Sequence, residues 1–126
     1  AVSEIMKKKG QGKIVNISSI FGVVSKPKRA AYSTTKWGLI GFTKAVALDL
    51  APYNILVNAV SPGFVDTQLT RSILGEKGIK EITETIPQQR LANVEEIAKT
   101  VVYLASDHNT YIAGQNIIVD GGVTSA

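Results

Sequence analysis

Lys13-Ile-Val-Asn-Ile-Ser-Ser19 is a β-branched run that predicts a buried strand, and Tyr32-Ser-Thr-Thr-Lys36 lies thirteen residues beyond Ser19, at the start of a helical pattern. The helix is predicted over residues 31–50 and ends before Pro52, because proline cannot continue a helix. A second apolar run at residues 55–60 predicts another strand. Strand, helix and strand in this order favour a parallel α/β fold with both faces of the sheet covered.

The carboxy-terminal part of the chain continues this alternation of helix and strand. A helix is predicted over residues 94–105, with Asn93 as its N-cap and Glu96 completing a capping-box-like pair. A third strand is predicted over residues 116–120. The apolar residues predicted to form the buried side of the helix are Ile97, Val101, Val102 and Leu104.

Two other segments have weaker patterns. Residues 61–93 are predicted to be irregular or weakly helical, and a loop of that length after a strand is typical of a substrate lid. Residues 1–9 are predicted to be the last turns of an amphipathic helix that Gly10 ends.

Composition narrows the class of protein. The 126 residues suffice for one domain, and the apolar share of 44% is ordinary for a globular protein. No apolar run reaches the roughly 18–20 residues that a membrane span needs, and the absence of cysteine excludes disulfides and thiolate metal sites. The net charge is +4, and apart from Lys7–Lys9 and Lys26/Lys28/Arg29 the basic residues are scattered, with no aromatic residues interleaved, so a solvated surface is favoured over nucleic-acid binding. No acidic cluster predicts a metal site.

Tyr32 and Lys36 stand four residues apart, a spacing that puts both side chains on one face of a helix. The lysine charge there favours the phenolate form of the tyrosine, and a tyrosine so placed can deliver a proton at neutral pH. Ser19 supplies a hydroxyl that could hold the reacting oxygen. The spacing alone is common by chance, and a surface pair is the alternative interpretation.

The surrounding motifs make the pattern more specific. Asn16-Ile-Ser-Ser19, Tyr32-x-x-x-Lys36 and Asn58-x-Val-x-Pro62-Gly63, followed by Val119-Asp120-Gly121-Gly122, together resemble the classical short-chain dehydrogenase/reductase family. The resemblance covers essentially the whole chain. It is greatest to bacterial 3-oxoacyl-acyl-carrier-protein reductases, with sugar and alcohol dehydrogenases next. It implies an NAD(P)-dependent enzyme that interconverts a carbonyl and an alcohol.

The resemblance implies a role for each matching residue. Ser19 would hydrogen-bond the substrate oxygen, Tyr32 would act as general acid or base, and Lys36 would support Tyr32 and hold the nicotinamide ribose. The remaining residues implied to contact the cofactor are Pro62, Gly63, Val65 and Thr67. Hydride transfer would belong to the cofactor, NADP being slightly preferred to NAD.

The family's glycine-rich phosphate-binding turn has no counterpart in these residues. We therefore expect residues 1–126 to be the carboxy-terminal half of a Rossmann-type doubly wound domain, without its dinucleotide-binding half. The alternative is a non-catalytic fragment or self-assembling half-domain that binds no cofactor alone.

The resemblance also implies a location and partners. We expect a cytoplasmic homodimer or homotetramer that acts on a small carbonyl compound, an alcohol or an acyl thioester, and that binds neither nucleic acid nor membrane. Trp37 follows the lysine directly, where relatives usually have a smaller residue. Packing at a subunit contact is favoured for Trp37 over a substrate role.

Overall fold

A computed structural model describes residues 2–126, and Ala1 lies outside the described residues. Three strands and four α-helices alternate along this part of the chain. They are α1 (Val2–Lys9), β1 (Gly12–Ile17), α2 (Ala30–Leu50), β2 (Ile55–Pro62), α3 (Gln68–Thr85), α4 (Val94–Ala105) and β3 (Asn116–Val119). Within residues 2–126, no helix combines the length and the apolar character needed to cross a bilayer.

The three strands form one parallel sheet in the order β1-β2-β3, which confirms the predicted α/β class. Gly12 pairs with Ile55, and Ala59 pairs with Asn116. The strand bounds differ from the prediction by one or two residues, chiefly because β2 continues to Pro62 where β3 still pairs with it. The central strand is buried on both sides, as expected when helices cover both faces.

Separate apolar clusters lie on the two faces of the sheet. On one face Ala47 and Leu50 of α2 pack against Ile55 and Val57 of β2. On the other face Ile97 and Leu104 of α4 pack against Val60. Each large apolar side chain so buried stabilises the fold by about 1.5–3 kcal/mol relative to full exposure.

Two buried asparagines order the loop between α4 and β3: Asn58 attaches it to the central strand, and Asn109 braces it from within. The Asn58 side-chain amide donates to the Ile112 carbonyl at 2.7 Å, and its oxygen accepts from the Gln115 backbone N–H at 3.0 Å. The Asn109 side-chain oxygen accepts from the Ile112 N–H at 2.9 Å. Leaving such buried groups unpaired would cost about 1–3 kcal/mol each. These bonds therefore help to fix the position of β3 beside β2.

The structure corrects the prediction for the buried side of α4. Val102 is 65% exposed, whereas Ile97 and Leu104 are buried and Val101 packs against their cluster. Five residues of α-helix rotate Val102 by about 140° from Ile97, which places it on the opposite side from the sheet. The prediction that Val102 is buried was therefore wrong, because it used the apolar type of the side chain without its angular position on the helix.

Residues 61–93, predicted to be irregular or weakly helical, contain the helix α3 between irregular segments. The backbone is non-helical at Gly75, where φ is 63° and ψ is 177°, so α3 is two helical pieces joined at a kink. No residue of α3 is buried. Without a buried face there is no strong apolar period, and the sequence pattern was weak for that reason.

An ion pair fixes the start of α4. Two nitrogens of the Arg90 guanidinium each donate to a Glu96 carboxylate oxygen at 2.7 Å. One of these oxygens also accepts from the Asn93 backbone N–H at 2.7 Å, which is the glutamate half of the predicted capping box. The hydrogen bonds from Arg90 and then from Asn93 lower the pKa of Glu96 from 4.5 to about 2.

We predict that Glu96→Gln weakens the dependence of unfolding free energy on pH. Because the folded-state pKa of Glu96 is depressed, its stabilising effect is present above the unfolded-state value of 4.5 and is lost as the pH falls toward about 2. Urea denaturation across this range measures the effect. Glu95→Gln, which removes a neighbouring carboxylate, is the control and should keep the wild-type dependence. An unchanged pH dependence in Glu96→Gln would contradict the prediction.

Candidate active site

The candidate site lies at the carboxyl edge of the sheet, where all three parallel strands end. Ser18 and Ser19 follow β1, Pro62 ends β2, and Asp120 follows β3. The Ser18 backbone N–H donates to the Val60 carbonyl at 2.7 Å, so the chain leaving β1 stays beside β2. Side chains on the loops beyond these strands therefore meet at one edge.

The two serines after β1 have different partners. The Ser18 hydroxyl donates to the Lys36 backbone carbonyl at 3.0 Å and thereby joins the loop to α2. Ser19 is buried, and its oxygen accepts from the Phe21 backbone N–H at 3.2 Å, which caps a short 3-10 turn. This bond uses a lone pair and leaves the Ser19 hydroxyl hydrogen available for a substrate oxygen.

Tyr32 and Lys36 lie one turn apart near the start of α2. The Lys36 ammonium donates to the Ile17 carbonyl at the end of β1, at 3.0 Å. It also lies 5.6 Å from the centre of the Tyr32 ring. Tyr32 is 42% exposed, so its side chain is accessible from solvent. The lysine charge is therefore held between the end of a strand and the phenol ring.

Two phenylalanines that the sequence analysis did not single out connect the parts of the site. The Phe21 ring meets the Tyr32 ring edge-on at 6.2 Å and the Phe64 ring edge-on at 6.3 Å. The Lys26 ammonium lies 5.5 Å from the Phe21 ring centre and 5.9 Å from that of Phe64. Phe21 is two residues after Ser19, and Phe64 follows Gly63 directly. Their closeness in sequence to these two motifs was the signal that could have identified both phenylalanines as site residues.

Gly63 lies where the end of β3 passes closest to the chain leaving β2. A Cβ atom at this position would be 2.7 Å from the Asp120 Cα and 2.8 Å from its Cβ. The Gly63 N–H donates to the Val119 carbonyl at 2.9 Å. Pro62 and Gly63 therefore lead the chain away from the sheet at its carboxyl edge. They follow β2, which is the neighbour of the strand that Ser19 follows.

Val65 and Thr67 lie further along, at the entry to α3. Val65 forms a parallel bridge with Ala92, in which the Asp66 N–H donates to the Ala92 carbonyl at 2.8 Å and the Ala92 N–H donates to the Phe64 carbonyl at 2.9 Å. The Val65 N–H and C=O take no part in these bonds and face the other side. The Thr67 hydroxyl accepts from the Thr70 N–H at 3.1 Å and caps α3.

The predicted residues thus form two groups. Ser19, Tyr32 and Lys36 are connected through Phe21 and the end of β1, whereas Val65 lies in the bridge before α4 and Thr67 caps α3. Among residues 2–126, no set of three or more histidine and acidic side chains could hold a metal ion.

Comparison with known proteins identifies the family. A family model described as enoyl-(acyl carrier protein) reductase matches residues 1–124. A 3-oxoacyl-[acyl-carrier-protein] reductase of Aquifex aeolicus is 48% identical over 118 residues, which are 94% of this chain and 47% of that protein. A trans-4-hydroxycyclohexanecarboxylate dehydrogenase of Sinomonas cyclohexanicum is 46% identical over 114 residues, which are 90% of this chain and 42% of that protein.

Comparison with solved structures also finds proteins similar to this chain. A gluconate 5-dehydrogenase of Burkholderia cenocepacia, in complex with NADP and tartrate, superposes with a TM-score of 0.93 at 33% identity. The match covers 99% of this chain and 49% of that one. The chain thus spans about half the length of the relatives it matches. With a family match over nearly its whole length, the chain belongs to the short-chain dehydrogenase/reductase family.

Proposed function

We propose that this chain supplies the proton-transfer half of an NAD(P)-dependent oxidoreductase that interconverts a carbonyl and an alcohol. The observation that carries the proposal is the position of the Lys36 ammonium. It is bonded to the Ile17 carbonyl and lies 5.6 Å from the centre of the Tyr32 ring, at the edge where the strands end. Ligands of open α/β sheets bind at this edge.

In this proposal three side chains act on the substrate oxygen. Tyr32 donates its phenolic proton to the carbonyl oxygen during reduction and takes it back during oxidation. The Lys36 charge stabilises the phenolate that remains after donation. The Ser19 hydroxyl donates a hydrogen bond to the same oxygen and holds it in place. Phe21 keeps the Tyr32 ring in position by edge-to-face contact.

We propose NADP, or else NAD, as the cofactor, which supplies the hydride when bound. Lys36 and Tyr32 would hold the ribose, and Pro62-Gly63 would lie against the nicotinamide. The Val65 backbone N–H and C=O face away from the bridge to Ala92 and would pair with a carboxamide, and the hydroxyl of Thr67, at the start of α3, is the group we propose for a phosphate contact. NADP is preferred because the gluconate 5-dehydrogenase structure holds it.

A 3-oxoacyl thioester is our first choice of substrate for the complete enzyme. The support is the 48% identity with a 3-oxoacyl-[acyl-carrier-protein] reductase. A sugar or secondary alcohol is the alternative, supported by the gluconate and hydroxycyclohexanecarboxylate dehydrogenases. A cytoplasmic location stays a prediction.

We predict that Tyr32→Phe in the complete enzyme lowers kcat by at least about 100-fold, since a positioned general acid contributes about 10²–10⁴ in rate. The substitution keeps the ring and its contact with Phe21, so NADPH affinity should change little. Tyr111→Phe, at a 95% exposed tyrosine, is the control and should keep wild-type turnover. Turnover within a few-fold of wild type in Tyr32→Phe would refute the assigned role.

We propose a second, non-catalytic possibility in which residues 1–126 fold and assemble with copies of themselves. The side of α2 away from the sheet exposes Trp37 and Phe42 by more than half, and Leu48 by 78%. Large apolar side chains left exposed on the side of a helix away from the core favour association with another chain. Pairing of α2 with its copy would give the homodimer, or with a further contact the homotetramer, that the family resemblance implies.

We predict that the 126-residue chain self-associates through this side of α2. Sedimentation velocity should show a dimer or tetramer that Leu48→Lys dissociates, because a charge would be buried at the contact. Leu69→Lys on α3, at a similarly exposed leucine, should leave the mass unchanged. A monomeric wild-type chain would refute the prediction.

Calorimetry with NADPH on the same sample separates the two proposals. We expect weak or undetectable binding by the 126 residues alone, because no glycine-rich phosphate-binding turn is present in them. Micromolar binding would contradict this expectation and show that these residues suffice for the cofactor.

A further inference from the structure

Charge is unevenly distributed along the chain, beyond what the net value of +4 suggests. Residues 5–48 contain no aspartate or glutamate, whereas all but one of the acidic residues lie in residues 49–126. The nine basic residues of the acid-free segment are Lys7, Lys8, Lys9, Lys13, Lys26, Lys28, Arg29, Lys36 and Lys44. This segment includes β1, most of α2 and the loop between them, which carries one side of the candidate site.

Three of these residues, Lys26, Lys28 and Arg29, form what we call the basic loop. They lie within four positions of one another, just before α2, and all three are exposed. Among residues 2–126, the ion pairs join other residues and include none of the three. The basic loop therefore presents three positive charges that no carboxylate of the described residues neutralises.

The basic loop is also locally unfavourable. Lys28 has a φ of 65°, a left-handed conformation that residues other than glycine adopt at a cost. Arg29 is the N-cap of α2 and makes no side-chain capping bond. Serine, threonine, aspartate and asparagine are preferred there, and a positive charge opposes the helix dipole. The left-handed backbone of Lys28 and the poor capping by Arg29 are both locally unfavourable, and unfavourable local features of this kind are expected at functional sites.

Two aromatic contacts place one charge of the basic loop beside the candidate site. The Lys26 ammonium lies over Phe21 and Phe64, at 5.5 and 5.9 Å from the ring centres. Phe21 in turn contacts the Tyr32 ring at 6.2 Å. Two short steps therefore join the ammonium to the proposed proton donor. The aromatic rings cover one side of the ammonium and leave its exposed side free for a hydrogen-bonded anion.

We propose that the basic loop binds a carboxylate or phosphate group that the substrate carries away from its reacting carbonyl. Lys26 makes the direct contact, and Lys28 and Arg29 add charge at the entrance. This inference rests on the proposed oxidoreductase function and deepens its alternative substrate choice, not the thioester: it names small carbonyl compounds or alcohols with a remote anionic group. Such a group would relieve the repulsion among the three charges.

The test compares charged and neutral forms of one substrate series in the complete enzyme. The probes are methyl ketones with a terminal carboxylate at increasing distance from the carbonyl, each measured beside its methyl ester. Lys26→Met removes the charge but keeps an apolar chain over the rings, and Lys26→Arg restores a charge. Lys8→Met is the matched control, because Lys8 is exposed on α1, which leads into the opposite end of β1.

We expect Lys26→Met to lower kcat/KM for the best carboxylate at least about tenfold, because a hydrogen bond to a charged group is worth a factor of that order or more. The effect should appear mainly in KM. The methyl esters should change by less than about twofold, Lys26→Arg should recover most of the loss, and added salt should narrow the gap between carboxylate and ester. Lys8→Met should behave as wild type.

Several outcomes would overturn the inference and not the proposed function. These are an equal loss for esters and carboxylates, or no loss for either. If the wild-type enzyme reduces none of these ketones, the result counts against the proposed oxidoreductase function for this substrate series. Calorimetric titration of the same carboxylates into wild type and Lys26→Met then decides, since equal affinity would also overturn the inference.

Discussion

The hydrogen bond from the Lys36 ammonium to the Ile17 carbonyl is the constraint on which the candidate site depends. It joins the last residue of β1 to the second turn of α2, and it fixes a positive charge where the sheet ends. A second bond runs in the opposite direction, from the Ser18 hydroxyl to the Lys36 backbone carbonyl. The ammonium and the backbone carbonyl of Lys36 are therefore both held by the end of β1 and the residue that follows it, one turn of helix beyond Tyr32.

The rest of the fold supports this contact. The apolar clusters on the two faces of the sheet hold α2 and α4 in place, and the buried Asn58 and Asn109 fix the return of the chain into β3. β3 then passes against Gly63, where a side chain would collide with Asp120. The site is therefore an edge built by three strands, although its proposed reacting groups come from one strand end and one helix.

The sequence was sufficient to predict elements with a buried face. α2, α4 and the three strands were located to within two residues because their apolar periods report contact with the sheet. The helix α3 was predicted only as a weakly helical or irregular segment, without bounds, because none of its residues is buried. Val102 was misassigned because its side-chain type was used without its angular position on the helix. The contacts of Phe21, Phe64 and Lys26 depend on how two loops meet, which no local pattern records.

The most direct test of the central claim, that Tyr32 and Lys36 act as one unit, is a double-mutant cycle in the complete enzyme. The cycle measures kcat at saturating NADPH, so that loss of the proposed ribose contact of Lys36 does not enter, for Tyr32→Phe, Lys36→Met and the combined variant. If the lysine acts through the phenol, the combined variant should be no slower than Tyr32→Phe alone, as is typical of residues that work together. Losses that multiply in the combined variant would show independent roles and contradict the account.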